Sequence, residues 1–375
     1  MIVMRLTLED APTLFAQTCL DQPILIGQDF GTVCNSRSVT LAQAAGAVPM
    51  PLATQDRLLG VFPFDRGAPG YLYCIQTAPA PPVAPPREAH SRSLTRFPVQ
   101  AEYGQAVAAA AQRIGAPGAD LAKVVLARAL EFETDAEIDP LQTAQTLAAD
   151  RHVTSYCVPL PSAGGTGPKW LVGATPELLL SKRAGAVISH PLAGSARRSA
   201  DPQADQYAAQ SLSRSAKDLA EHRVVVDYIH DILAPYCKTL DVPGAPQLDR
   251  TATMWHLGTP IQGVLKDPDT PCLELLYRLH PTPAVAGHPL QTALEVIAQS
   301  EPFERGFYAG TLGWLDGQND GAWYVTLRCA LIDGHRARLF AGAGIVAQSD
   351  PASEIAETGA KFAAMRKALG ICDTL

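Results

Sequence analysis

No stretch of the 375-residue chain approaches the ~20 uninterrupted apolar residues that a membrane-crossing helix requires, so no helical span is expected. The eight cysteines are scattered, with no Cys-x-x-Cys pair and no Cys/His cluster. That spacing argues against zinc ligands or a disulfide framework and fits reduced, mostly buried thiols. Aromatic residues make up only 6% of the chain, the net charge is −7, and no dense Lys/Arg stripe is interleaved with aromatics. Nucleic acid is therefore not an expected partner. The opening MIVMRLTLEDAPTLF has no basic segment leading into a long apolar run, and acids enter at Glu9 and Asp10. It does not read as a signal peptide, and a cytoplasmic location is the economical expectation. What the chain does have is 47% hydrophobic residues against 18% charged, enough for a large core. Length permits two domains, although a single large α/β core also reaches this size.

Residues 1–57 give loose signals only: glycines at 27 and 31 and the apolar run 41–45 suggest a strand and loop. Two strands follow around the Asp65-Arg66-Gly67 turn. Residues 78–98, with APAPPVAPP at their heart, predict an extended, poorly hydrogen-bonded surface connector. After an alanine-rich helix near 101–113, LAKVVLARALEFET reads as a strand with Lys123 early in it. GGTGPK at 164–169 resembles a phosphate loop but continues with Trp170 rather than Ser or Thr, so it predicts a hairpin turn. LVGATPELLLSK and AVISHPLAGSARR read as two apolar strands. Leu212, Leu219, Val226, Ile229 and Leu233 then recur at helical spacing, predicting one long helix over 205–236. Further on, a strand is expected around Trp255, helices over 272–279 and 290–299, and three antiparallel strands over 308–315, 323–332 and 337–346, with Arg328 in mid-strand.

The most informative stretch is LFAGAGIVAQSDPASEIAETGAK, 339–361. An apolar strand enters the small-residue run Gly342-Ala343-Gly344, and Asp350-Pro351 signals a turn before a helix. On that helix Glu354, Glu357 and Lys361 stand at i, i+3 and i+7 and share a face. Such a face is commonly just solvated, and Glu357 with Lys361 is an ordinary i,i+4 pair worth roughly 0.2–0.5 kcal/mol. However, Asp218 and Glu221 repeat the same three-residue spacing on the earlier helix. Two such faces could converge on one Mg2+ ion and an anionic ligand.

Taken in order, KVVLAR at 123–128, GATPELLLSK around Glu177, HPLAGSARR around Ser195, KDLAEH around Glu221, TMWHLGTP around His256, LHPTPAVAG at 279–287, EPFERGFYAGTLGW at 301–314, VTLRCA around Arg328, AGAGIV and EIAETGAK resemble the chorismate-utilising enzymes. Among these the chain is most similar to isochorismate synthases of the catecholate-siderophore type, over roughly residues 58–371. The resemblance implies an α/β (α+β) fold of two stacked, mainly antiparallel sheets flanked by helices. It also implies a single chorismate-binding catalytic domain over 1–375, with a variable part at 1–57. By motif match, Lys123 is the base and Glu177 the acid that add water at ring carbon 2 of chorismate and expel the hydroxyl from carbon 4. Chemically, a lysine near its reference pKa of ~10.4 would need that value lowered, and Glu177 would need an apolar site to stay protonated.

The same match makes Glu221 and Glu357 direct Mg2+ ligands, with Asp218 and Glu354 reaching the ion through water. Gly194, Ser195, Arg328, Gly344 and Lys361 become grips on substrate carboxylates, and His256 a residue near the ring. His280 belongs to a subgroup motif without an evident role, and His222 reads as structural. Lys123 argues against the aminating branches, so no amidotransferase subunit is expected and a monomer is the simplest assembly. Ala284 matches the small residue of isochorismate synthases at a position where a hydroxyl-bearing residue favours pyruvate elimination. Salicylate synthase is therefore the alternative, and a non-catalytic chorismate binder a minor one.

Overall fold

The computed structural model describes residues 22–27, 29–46, 57–77, 79, 82, 91–161 and 169–371. Among them are eight helices and multiple antiparallel sheets, the α/β class expected. Seventeen strands join through hydrogen bonds into one continuous system, and Leu192–Arg197, Met254–Gly258 and Gln247–Arg250 form a separate three-stranded sheet. The backbone of the large system is Lys123–Thr134, nearly every residue of which is buried. This strand lies between Arg336–Ile345, with Gly344 opposite Val125, and Ser91–Phe97. A strand buried on both faces reads as a continuous apolar run, and VVLARAL does so. Among the described residues no helix is long and apolar enough to cross a membrane.

Several sequence expectations are corrected. The Pro-rich segment is not a connector throughout, because Ser91–Phe97 is a paired strand; 78, 80–81 and 83–90 lie outside the described residues. The apolar run 41–45 is helical, as Leu41–Gly46, with Leu41 and Ala44 buried. The single helix expected over 205–236 is two, Pro202–Arg214 and Ala216–Leu233, broken at Ser215, whose hydroxyl accepts the Asp218 N–H and caps the second. The three late strands are four: Thr311–Asp316, Gly321–Val325, Cys329–Asp333 and Arg336–Ile345. Arg328 sits in the break between the second and third, at φ +50° rather than in mid-strand. GGTGPK falls mostly outside the described residues, but the strands flanking it, Thr154–Leu160 and Lys169–Thr175, pair with Leu160 opposite Lys169.

Two apolar clusters hold these elements. The larger gathers Phe62, Tyr73, Leu276 and Trp323; the smaller gathers Leu130, Phe132, Leu339, Phe362 and Met365. Phe362 and Met365 seat the C-terminal helix Pro351–Ala368 on the sheet, which leaves its Glu354–Glu357–Lys361 face toward Ala216–Leu233. The helix starts where the sequence signalled, with Asp350 accepting the Ser353 N–H and Pro351 in the first turn. Cys157, Cys237, Cys272 and Cys329 are free and buried. His280 has a structural place: its Nε2 lies 3.0 and 3.2 Å from the carbonyls of Pro63 and Phe64, tying its loop to the neighbouring segment.

Candidate active site

The two acidic helices do meet. Lys217, at the start of Ala216–Leu233, places Nζ 2.5 Å from Glu354 Oε1 on the C-terminal helix. One turn on, Lys361 Nζ lies 2.5 Å from Glu357 Oε1 and donates to the Gly342 carbonyl at 2.8 Å. Ser195 Oγ donates to the same Glu357 oxygen at 2.8 Å. The third lysine is Lys123, fully buried, whose Nζ stands 3.0 Å from Glu221 Oε1. That contact is an ion pair without good hydrogen-bond alignment, since Nζ makes no directed bond. Backbone geometry explains the approach. A methyl group on Gly344 would fall 2.1 Å from Glu221 Oε1 and 3.0 Å from Lys123 Cε, so only glycine leaves room for the pair. Gly194, at φ +81°, similarly passes where a Cβ would meet Asp218 Cβ at 3.0 Å.

Every predicted site residue except Lys123, Asp218 and Glu354 lines one cavity; Lys123 stands against Glu221 of its wall, Asp218 beside Gly194, and Glu354 against Lys217. Glu177 occupies the break between Lys169–Thr175 and Leu178–Arg183, made by Pro176, and is 2% exposed rather than facing solvent on a strand. Burial pushes its carboxyl up to about 8, against opposing pulls from Lys123, Arg328 and the Leu192 N–H. It is thus held protonated at neutral pH, as a general acid requires. His256 is driven well below its usual value by burial and by the Arg328 and Lys361 cations, so it is neutral. Its Nε2 stands 3.5 Å from Arg328 Nη2. The left-handed backbone of Arg328 turns its guanidinium out of the sheet ladder and into this pocket, a strained conformation of the kind that clusters at functional sites.

Four carboxylates from two helices carry the electrostatics. Burial pushes Glu357 up, but Lys361 and the Ser195 hydroxyl outweigh it and hold it below the ordinary carboxylate range. Glu354 is raised by burial and by Glu357, and Asp218 by burial and Glu221, despite Lys217 and Ser215. Among the described residues no three acidic, histidine or cysteine side chains form a ready metal cage, and lysines contact Glu221, Glu354 and Glu357. The chemistry nevertheless suits a hard cation. All four donors offer oxygen, and Glu354 Oε2 is buried without a hydrogen-bond partner.

Comparison with known proteins identifies the fold and its lineage. Residues 75–370 match a family model described as chorismate binding enzyme. The chain belongs to the chorismate binding enzymes. It is 44% identical to isochorismate synthase DhbC of Bacillus subtilis over 287 residues, 75% of this chain and 71% of the relative. It is 39% identical to the vibriobactin-specific isochorismate synthase of Vibrio cholerae over 322 residues, 84% of this chain and 79% of that one. The crystal structure of DhbC from Bacillus anthracis superposes with a TM-score of 0.86 at 37% identity, covering 94% of this chain and 97% of that one.

Sequence reasoning missed three participants. Lys217 stands beside Asp218 in KDLAEH, where the sequence alone does not tell it from an ordinary solvated helix lysine. Tyr308, from GFYAG, and Phe340 stack with ring centroids 5.1 Å apart at 9° and wall the pocket. The only signal for the two rings was their place in a motif already quoted.

Proposed function

We propose that this chain converts chorismate to isochorismate, feeding a catecholate siderophore. The observation that carries the chemistry is a buried amine, Lys123, and a carboxyl held protonated at neutral pH, Glu177, in and behind the wall of one pocket. Water attacks ring carbon 2, forming a C–O bond as the ring double bonds shift and the C–O bond at carbon 4 breaks. Lys123 Nζ takes the proton of the attacking water, and the Glu177 carboxyl gives its proton to the departing hydroxyl, which leaves as water. One water enters and one leaves, so the reaction is an isomerisation.

Glu221 and Glu357 would hold Mg2+ directly and Asp218 and Glu354 through water, where the ion supplies positive charge to the ring carboxylate. Arg328 and Lys361, with the backbone near Gly194, Ser195 and Gly344, bind carboxylates; the Arg fork suits two oxygens at once. Neutral His256 packs against the ring and steadies Arg328. Ala284, on the pocket wall, offers no hydroxyl to assist pyruvate elimination. Similarity to an enzyme named for vibriobactin, a siderophore, supports the pathway. A single catalytic domain, a monomer without an amidotransferase, fits this chemistry because nothing in it needs ammonia.

The test is incubation with chorismate and Mg2+, with products separated by chromatography. Isochorismate is expected. Salicylate with pyruvate would assign the elimination as well, and unchanged chorismate would reduce the chain to a binder.

A further inference from the structure

The catalytic cavity has a volume of only about 70 Å3. That is far below the ~300–1,000 Å3 of ordinary ligand pockets, so a substrate needs a route in and room beyond. Two neighbouring cavities share walls with it. One shares Tyr308 and Phe340, but there the stacked rings, 4% and 6% exposed, close the partition. The other, of about 500 Å3, shares Pro176, Leu192 and His256; Leu192 and His256 are buried, but Pro176, next to Glu177 in the chain, is partly exposed.

This outer chamber is a built structure. Trp255 on its wall is fixed by an indole N–H bond of 3.0 Å to Asp205 and by the Arg198 guanidinium 5.0 Å from its ring centroid. The loop carrying His152 is tied to the far side, where the Ala252 N–H donates to Asp150 Oδ2 at 2.6 Å. Its one acid, Asp249, lies 2.9 Å from His190 Nε2 across Gly258, where a Cβ would strike the Asp249 oxygen at 2.0 Å. Arg250 is the only lysine or arginine among the described residues lining the chamber. Arg250, exposed at the end of the edge strand, has no carboxylate partner among the described residues.

We infer that this outer chamber is the portal through which a dicarboxylate substrate reaches the catalytic pocket, with Arg250 as the cation that draws it in. The inference rests on the proposed reaction for the identity of the dianion. A lone guanidinium at the mouth of a low-dielectric cleft raises the local concentration of anions and speeds association, an effect that salt removes. Arg250 is thus a capture residue and takes no part in the chemistry. Leu248, 38% exposed on the same wall, marks the opening.

The experiment follows chorismate association by stopped-flow tryptophan fluorescence at increasing salt, with steady-state turnover measured in parallel. Arg250→Gln is expected to slow association about 5-fold at low salt and hardly at all near 0.5 M, with kcat unchanged and Arg250→Lys restoring most of the rate. Leu248→Trp, which narrows the mouth, is expected to slow association at every salt concentration with kcat and thermal stability retained. Wild-type association rates in both Arg250→Gln and Leu248→Trp, or an Arg250→Gln deficit that salt leaves intact, overturn the portal. If the wild-type protein consumes chorismate in that case, the proposed reaction stands without it. If the wild-type protein neither binds nor consumes chorismate, both fall.

Discussion

Glu177→Gln separates the two roles that the pocket assigns to this carboxyl. Burial raises it from 4.5 to about 8. The folded protein therefore holds a proton that the unfolded chain releases, and stability falls as pH rises between those values. Sign and size follow together. The favourable contribution is complete below pH ~4.5 and lost through pH ~8, and a separation of about 3.5 pH units at ~1.4 kcal/mol each gives a loss of roughly 3–5 kcal/mol. Gln keeps the shape without the ionisation, so the variant is expected to unfold at higher urea than wild type at pH 8.5 and to match it near pH 5. Turnover should fall at least 100-fold, within the usual 10²–10⁴ contribution of a general acid. Urea unfolding at several pH values, with the m-value checked for constancy, measures the first effect and chromatography of the product the second. Equal pH dependence in wild type and variant would refute the buried neutral carboxyl, and full activity in the variant would refute its catalytic role.

Three further outcomes follow from the same geometry. Lys123→Gln should abolish hydration while circular dichroism shows a retained fold; unchanged turnover would remove the proposed base. Glu357→Gln should weaken Mg2+ binding at least 10-fold by calorimetry, and a normal titration would remove that ligand. Gly344→Ala forces Glu221 away from a Cβ that would otherwise lie 2.1 Å from its oxygen. Because a flexible side-chain end can yield, the stability cost should stay near ~1 kcal/mol, yet activity should drop sharply with the displaced Lys123–Glu221 contact. A variant as active as wild type would show that this contact is dispensable.

The gathering of most of the named residues around one cavity was legible because they stand in short, separated motifs. The i,i+3 carboxylate pairs left open whether their two helices approach each other, and the contact from Lys217 to Glu354 brings them together. Element boundaries were harder. Apolar spacing runs unbroken across Ser215, so periodicity merged two helices even though Ser215 and Asp218 spell an N-cap. VTLRCALI likewise reads as one strand, and nothing in a residue string reveals a positive φ at Arg328. The Lys361–Glu357 pair is readable from its i,i+4 spacing, but the partner of Lys123 was illegible, because it depends on strand register, and register places Gly344 beside Val125.

The most direct measurement is the reaction run in 18O-labelled water with the product examined by mass spectrometry and NMR. If Lys123 activates water against carbon 2 while Glu177 discharges the hydroxyl of carbon 4, each isochorismate molecule carries one heavy oxygen, at carbon 2. Isochorismate formed without label would mean that the hydroxyl migrates within the substrate, contradicting the paired base and acid.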